Sequence, residues 1–578
     1  MHSNPEQLPE TRQSHQQSRR RILATLSATG IGSLVFQRAL ADEAAKSLSV
    51  TKEQVAAAEW VAGITLSDDQ RTSLLNELKK VREDGEKIRS IKLDYDTLPA
   101  FRFDPEMVDP ESVKRSSEPR PWLREPSSAE GSQTGDSSSG DASAKTAEDT
   151  SLSWLSIREL GQRLRSRSIT AVQLAEHCLA QLEKHNAKLN CVVTLTRDLA
   201  MKQAEQADRE LAAGMDRGPL HGIPWGAKDL IAVEGYPTTW GAPQFKDQTL
   251  PSTATVARKL EEAGAVLVAK LSLGALAMGD QWFNGQTKNP WNPEQGSSGS
   301  SAGSASAVAA GLIPFAIGSE TLGSIVSPTR RCGVMGLRPT FGRVSRAGCM
   351  ALSWTMDKLG PIARSADECG LVLAAIQGRD DGDPTAVDRW FAWPRTVDLS
   401  AVRIGKVTNS PTSPAEQAAL DAIVALGAKL VEVEMPREIP EWPLTSMLDV
   451  EAACVFEPLT RSGNLEGINA WGNIFQRSHF VTAVDFLHAA RARYRLMKQM
   501  VDVFAKVDCY VGGGDLGITN LTGHPTLSIP VMMQDMKPQV RPICCTLTAG
   551  LYDEATLLAV GAEIEKKVDV LKFHPTLG

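Results

Sequence analysis

A run of small residues, Gly296 to Ala307 (GSSGSSAGSASA), leads without a break into the apolar segment Val308 to Ile317 and then into Gly318-Ser319-Glu320-Thr321-Leu322-Gly323-Ser324-Ile325. By composition alone such a run is a flexible linker. Here it is joined to sequence that must be buried, so it reads as a tight loop inside a core, where small side chains let backbone amides and hydroxyls crowd around a bound group as acyl transfer requires. The flanking pattern supplies that core. A helix over Thr253 to Ala263 stops at Gly264, and Ala265 to Val268 follows as a short buried strand. Leu312 to Ile317 is a second strand, and a helix over Glu416 to Leu426 leads into a third at Lys429 to Val433. Ser156 with Glu159, and Thr170 with Gln173, have capping-box spacing, and Val172, Ala175, Leu179 and Leu182 share one face of the helix that Thr170 opens. Helices alternating with apolar strands predict an α/β architecture.

The 578 residues do not all belong to that pattern. Ser127 to Thr150 is almost entirely Ser, Gly, Ala, Thr, Asp and Glu, too polar to bury the surface that would order it. It therefore divides residues 42–126 from a main domain, 151–578. Within 42–126, Thr51 with Gln54 and Ser67 with Gln70 predict two short helices, the second with Leu74, Leu75, Leu78 and Val81 as its apolar stripe. Leu93 to Pro126, punctuated by prolines, is expected to be extended. Residues 1–41 read as a removable address. Ser18-Arg19-Arg20-Arg21-Ile22-Leu23 precedes an uncharged run to Phe36, and Ala39-Leu40-Ala41 follows. This order of basic, apolar and small-residue regions is a signal peptide, and its arginine pair resembles the twin-arginine export type, which carries folded proteins out of the cytoplasm to a periplasmic or extracellular destination.

Charge and cysteine content narrow the function. The net charge is −7, and the leader's five arginines against two glutamates leave the remainder near −10, so no basic footprint for nucleic acid exists. No uninterrupted apolar stretch is long enough to cross a bilayer. Nine scattered cysteines show neither CxxC nor Cys/His spacing, so no metal or other cofactor is expected, and the cysteines read as reduced, partly buried core residues.

The Gly296 to Thr340 stretch resembles the amidase signature family, which has a serine-rich loop, a Gly-Gly-Ser-Ile nucleophile turn and a downstream Cys-Gly…Gly-Leu-Lys-Pro-Thr. Further matches occur in family order: Gly218-Pro219-Leu220-His221-Gly222-Ile223-Pro224 with Lys228-Asp229, then Gly360-Pro361-Ile362-Ala363-Arg364, then Asn520-Leu521-Thr522-Gly523-His524-Pro525. The resemblance spans most of Leu152 to Val570 and implies a mixed central sheet covered by helices on both faces. It also implies a Ser-Ser-Lys triad, with the catalytic lysine at Lys228, the bridging serine at Ser300 and the nucleophile at Ser324. Ser297, Ser298 and Ser301 fit the loop pattern less well than Ser300.

The chemistry is consistent with those positions. A serine hydroxyl is a poor nucleophile until a base removes its proton, and no histidine lies in the segments of Ser300 and Ser324. A lysine serves only if neutral. Burial among Ile223, Pro224, Trp225 and Leu230 would lower its pKa, and Ser300 could relay the proton between Lys228 and Ser324. Backbone N–H groups of Thr321, Leu322, Gly323 and Ser324 would hold the oxyanion. His221 and His524 are expected to be packed loop histidines with no catalytic role. Three positions depart from the family's Asp-Thr-Gly-Gly-Ser-Ile-Arg: Glu320, Leu322 and Val326. A leucine is tolerated in the turn unless its φ is positive, and the lost arginine is expected to be replaced by Arg330 or Arg331.

Three functions follow: an exported amidase acting on a small-molecule amide, the amide-hydrolysing subunit of a glutamyl-tRNA amidotransferase, and a non-catalytic amidase-like binding protein. The export signal opposes the second, and retention of Lys228, Ser300 and Ser324 opposes the third. Which amide is cleaved, and the oligomeric state, are not written in the sequence. Met278, Trp282, Phe283 and Trp354 are candidates to line the acyl pocket.

Overall fold

The computed structural model describes residues 50–62, 67–69, 71, 72, 75, 103–108, 110–126 and 152–577, apart from 480, 537 and 538. The leader and the linker 127–150 lie outside the described residues. The chain divides into two compact units, Met1–Asp94 and Tyr95–Gly578. In the first, the helix Lys52–Ala62 starts where expected. The Thr51 N–H donates to Gln54 Oε1 at 2.9 Å and the Gln54 N–H to Thr51 Oγ1 at 3.3 Å, which satisfies two of the orphan donors of a helix start. Asp68, Asp69, Arg71, Thr72 and Leu75 are also helical, whereas Leu74, Leu78 and Val81 are outside the described residues.

The second unit is built on one sheet of eleven strands. In chain order these are β1 Val192–Leu195, β2 Pro224–Lys228, β3 Val266–Leu271, β4 Phe315–Glu320, β5 Met335–Arg338, β6 Lys358–Ala363, β7 Ile404–Val407, β8 Leu430–Val433, β9 Cys509–Val511, β10 Thr526–Met536 and β11 Gln539–Ala549. Across the sheet they run β8-β7-β9-β11-β10-β5-β6-β4-β2-β3-β1. β2 is parallel to both of its neighbours, β3 and β4, and β7 to β8 and β9, while the remaining pairs are antiparallel. Every residue of β2, β3, β4, β5 and β6 is buried, and because successive side chains point to opposite faces, both faces are covered. The architecture is the α/β mixed sheet that the sequence implied.

Local signals placed the helices well. Ile157–Arg165 and Ala171–Leu189 start at complete capping boxes on Ser156 and Thr170. The helix before β3 is Thr255–Glu262, and Gly264 beyond it takes φ +78°; a Cβ there would also meet the His221 ring at 2.4 Å. Strand limits moved further. β3 runs on from the expected end at Val268 to Leu271 because Lys270, which reads as a surface residue, is buried against Asp229 at 2.7 Å. β4 begins at Phe315, not Leu312, and continues through Ser319 and Glu320, whose polar side chains are buried in the site.

Residues 103–126, grouped above with the N-terminal segment, belong instead to the second unit. Glu106 pairs with Arg389, Arg120 with Asp553 at 2.9 Å, and the Trp122 indole donates to Thr556 at 2.9 Å. Leu123 and Arg124 form a two-stranded ladder with Val397 and Thr396. Aromatic and arginine anchors spaced along a proline-rich stretch hold it as a strap without a long helix or a long strand.

Candidate active site

Lys228 is the last residue of β2, and Asp229, next along the chain, is committed elsewhere. Asp229 faces Lys270 at 2.7 Å, both fully buried, and also accepts the Thr239 N–H at 2.9 Å. Lys228 Nζ is therefore left among hydroxyls and a carbonyl: Ser300 Oγ at 2.8 Å, Ser319 Oγ at 2.9 Å, Ser301 Oγ at 3.1 Å and Ser319 O at 3.3 Å. None of these neutralises an ammonium. Burial lowers the Lys228 pKa to about 7, against the opposing attraction of Asp357 and Glu320. The Ser301 hydroxyl also donates to Ser319 O at 3.1 Å, so it closes the loop onto β4 and leaves Ser300 with the shortest contact to the lysine.

The small-residue loop meets the turn that carries Ser324 through backbone. The Ser301 N–H donates to Ser324 O at 3.0 Å. Ser300 is buried and Ser324 half-buried. Lys228 and Ser300 are thus in contact, and Ser324 is stitched to the residue after Ser300; a hydroxyl-to-hydroxyl bond between Ser300 and Ser324 is not among those formed. In the turn, φ is positive only at Gly323, +90°, where the glycine is retained. Leu322 keeps a negative φ and is tolerated. Among the described residues the N–H groups of Leu322, Gly323 and Ser324 meet no acceptor.

Glu320 explains why the turn holds its shape. One carboxylate oxygen accepts the N–H groups of Ile325 and Val326 at 2.8 and 2.9 Å, and the other accepts Arg338 Nη1 and Asn520 Nδ2, each at 2.8 Å. Burial alone would raise its pKa, but Arg338 and these bonds outweigh it and bring the value down to about 2. Arg338 also donates to His524 O at 2.9 Å and Thr526 Oγ1 at 2.6 Å. The support expected from Arg330 or Arg331 therefore comes from Arg338, since both of the former are exposed. Arg338 stands in Gly-Leu-Arg-Pro-Thr where the resembled motif has lysine, and its guanidinium pairs with the carboxylate of Glu320. Reading the two departures together would have found this pair.

Thr321 donates to Asp357 at 2.6 Å, and both line a cavity with Leu230, Ala277, Met350, Leu352, Trp354 and Leu359. Of the four acyl-pocket candidates only Trp354 lines it; Trp282 is buried against the exposed Phe283, and Met278 is half-buried beyond the cavity. The histidines are held away from Lys228. His221 Nδ1 accepts the Arg217 N–H at 3.1 Å, and His524 stacks on Phe504 with its pKa lowered to about 3 by burial and by Arg338.

A lysine short of protons and bonded to a serine, beside a turn of free N–H groups, has the parts of a serine hydrolase that draws its base from lysine. The chain belongs to the amidase family, hydrolases of carbon–nitrogen amide bonds, and matches the family profile over residues 173–512. It is 30% identical over 491 residues to the A-type chain of the glutamyl-tRNA(Gln) amidotransferase of Carboxydothermus hydrogenoformans, a match covering 74% of this chain and 100% of that protein. The same-named protein of Halorhodospira halophila is 30% identical over 484 residues, with 73% and 98% covered. Among solved structures, the native peptide amidase of Stenotrophomonas maltophilia is similar with a TM-score of 0.64 and 27% identity, covering 73% of this chain and 98% of that one.

Proposed function

We propose that this amidase cleaves a carboxylic amide to the acid plus ammonia or amine through an acyl-enzyme on Ser324. Neutral Lys228 takes the Ser300 proton as Ser300 takes that of Ser324, and Ser324 Oγ adds to the carbonyl carbon. The oxyanion is held by N–H groups of the turn Thr321 to Ser324. When the carbon–nitrogen bond breaks, the proton returns through Ser300 to the leaving nitrogen, and water then repeats the sequence to free the acid. The observation that carries this reading is the 2.8 Å contact between Ser300 and a lysine whose pKa is about 7.

The names of the amidotransferase relatives favour a second reading, a component that releases ammonia from glutamine in a tRNA-dependent enzyme. The leader speaks for the first, because Arg19 and Arg20 are suited to twin-arginine export and charged tRNA is cytosolic. Against a non-catalytic binding protein stand the matched pair Glu320 and Arg338 and the negative φ of Leu322. A serine-directed phosphonylating probe, with the adduct mapped by mass spectrometry, tests the proposal. An adduct on Ser324 is expected; none in folded protein, or one elsewhere, points to the non-catalytic reading. A panel of aliphatic, aryl and fatty amides then assigns the substrate.

A further inference from the structure

The strap 103–126 precedes the family match, which begins at residue 173, yet its first described residue, Phe103, packs among residues of the matched region. The Phe103 ring lies 3.5 Å from the guanidinium carbon of Arg493, with Phe341 edge-on at 5.0 Å between ring centroids. Arg493 is buried on the long helix Ala483–Lys506 and grips Thr355 twice, at the hydroxyl (2.9 Å) and at the carbonyl (2.7 Å). Glu451 accepts from the Thr355 hydroxyl and from the Ser353 hydroxyl, each at 2.7 Å. Asp357, four residues on from Ser353, accepts the N–H groups of Leu352 and Ser353 at 2.8 and 3.0 Å and the Thr321 hydroxyl at 2.6 Å. Leu352, Trp354 and Asp357 form a wall of the cavity, and Thr321 opens the nucleophile turn. Contacts thus run without a gap from the strap to the turn.

We propose that the strap is a working part of the amidase site and that Phe103 is a positioning residue. By stacking on Arg493 it fixes Thr355, and through the 352–357 loop it sets both the cavity wall and Thr321. A guanidinium on the face of an aromatic ring is held by the ring quadrupole, and the attraction is strongest where water is excluded. Phe103 is 8% exposed and Arg493 3%, so this contact is of the desolvated kind. Without the ring, Arg493 keeps its hydrogen bonds but gains room to move, and the loop moves with it.

The proposal rests on Ser324 as nucleophile, and the test separates the two. Full-length wild type, Phe103→Leu, Phe103→Tyr and Arg124→Ala are labelled with a dodecyl fluorophosphonate. Binding and chemical steps are separated by saturation kinetics, and a melting curve is taken for each protein. Phe103→Leu keeps apolar volume but not the π face, and is expected to weaken probe binding by roughly 2- to 30-fold, the range of one cation–π contact. Phe103→Tyr keeps the ring and should restore wild-type binding. Arg124→Ala, on the strap but solvent-exposed, should match wild type. A folded Phe103→Leu protein that binds the probe like wild type, or a tyrosine variant as impaired as the leucine one, overturns the proposal. Should the leucine variant not fold, Phe103→Met carries the same two outcomes. Failure of wild type to label at Ser324 removes the reading of the nucleophile itself, a result distinct from labelling that the strap variants leave unchanged.

Discussion

A lysine amine can take a proton from a serine only in molecules where it carries none. The proposed role of Lys228 rests on an arrangement that gives its neighbour Asp229 to Lys270 and surrounds Lys228 with neutral oxygens. With its pKa lowered to about 7 by burial, the amine is protonated and idle below that value and neutral above it. The activity, as kcat/KM of the free enzyme, should therefore rise with pH through about 7 and level off above. Lys228→Arg should be as inactive as Lys228→Ala, because a guanidinium stays protonated at any working pH. Circular dichroism would establish that both variants fold. A flat profile between pH 6 and 9 (roughly the range of a tuned lysine), or an active arginine variant, would remove Lys228 from the mechanism.

At the scale of the element, the turn that carries Ser324, the proposed nucleophile, has a positive φ at one glycine and not at both of the positions where the family places one. A Cβ on Gly323 would sit 3.0 Å from a Leu516 methyl and 3.1 Å from Ser327 Oγ, at a φ of +90° that L side chains rarely adopt. Gly323→Ala is expected to cost about 1–2 kcal/mol of local strain and to shift the free N–H groups off the oxyanion. The loss should fall on kcat, up to about 10²–10³-fold if one donor is lost, with KM little changed. Leu322→Gly should leave kcat within a few-fold, since Leu322 already has an ordinary φ. Steady-state kinetics on a hydrolysed amide from the panel compare the two. Equal losses would show that the turn does not work through the Gly323 conformation.

For the whole molecule, we propose export of the already folded chain, and its nine unpaired cysteines bear on that proposal. All nine are free, and eight are buried, Cys454 being the exposed one. Folding before translocation would hide eight of those thiols from an oxidising destination, as export by the proposed twin-arginine leader requires. Replacing Arg19 and Arg20 by lysine should leave the protein in the cytoplasm. Cell fractionation and thiol titration of the native and unfolded protein measure both halves of the idea. Normal yield outside the cytoplasm from the lysine pair would exclude this route.

Local patterns were decided by the sequence. The capping boxes at Thr51, Ser156 and Thr170 depend on side chains three residues apart, so no distant contact is needed to see them. Ordered motifs singled out Lys228, Ser300 and Ser324 because each sits in a short, distinctive word, and the fold brings Lys228 into contact with Ser300. What the sequence could not reveal concerns polar groups buried by partners far along the chain. Lys270 inside β3, Glu320 paired with Arg338, and Phe103 stacked on the distant Arg493 all look like surface or loop residues until the partner is in place. A buried charge or a cation under a ring is stable only when the fold supplies its counterpart and excludes water, and that is a property of the tertiary structure.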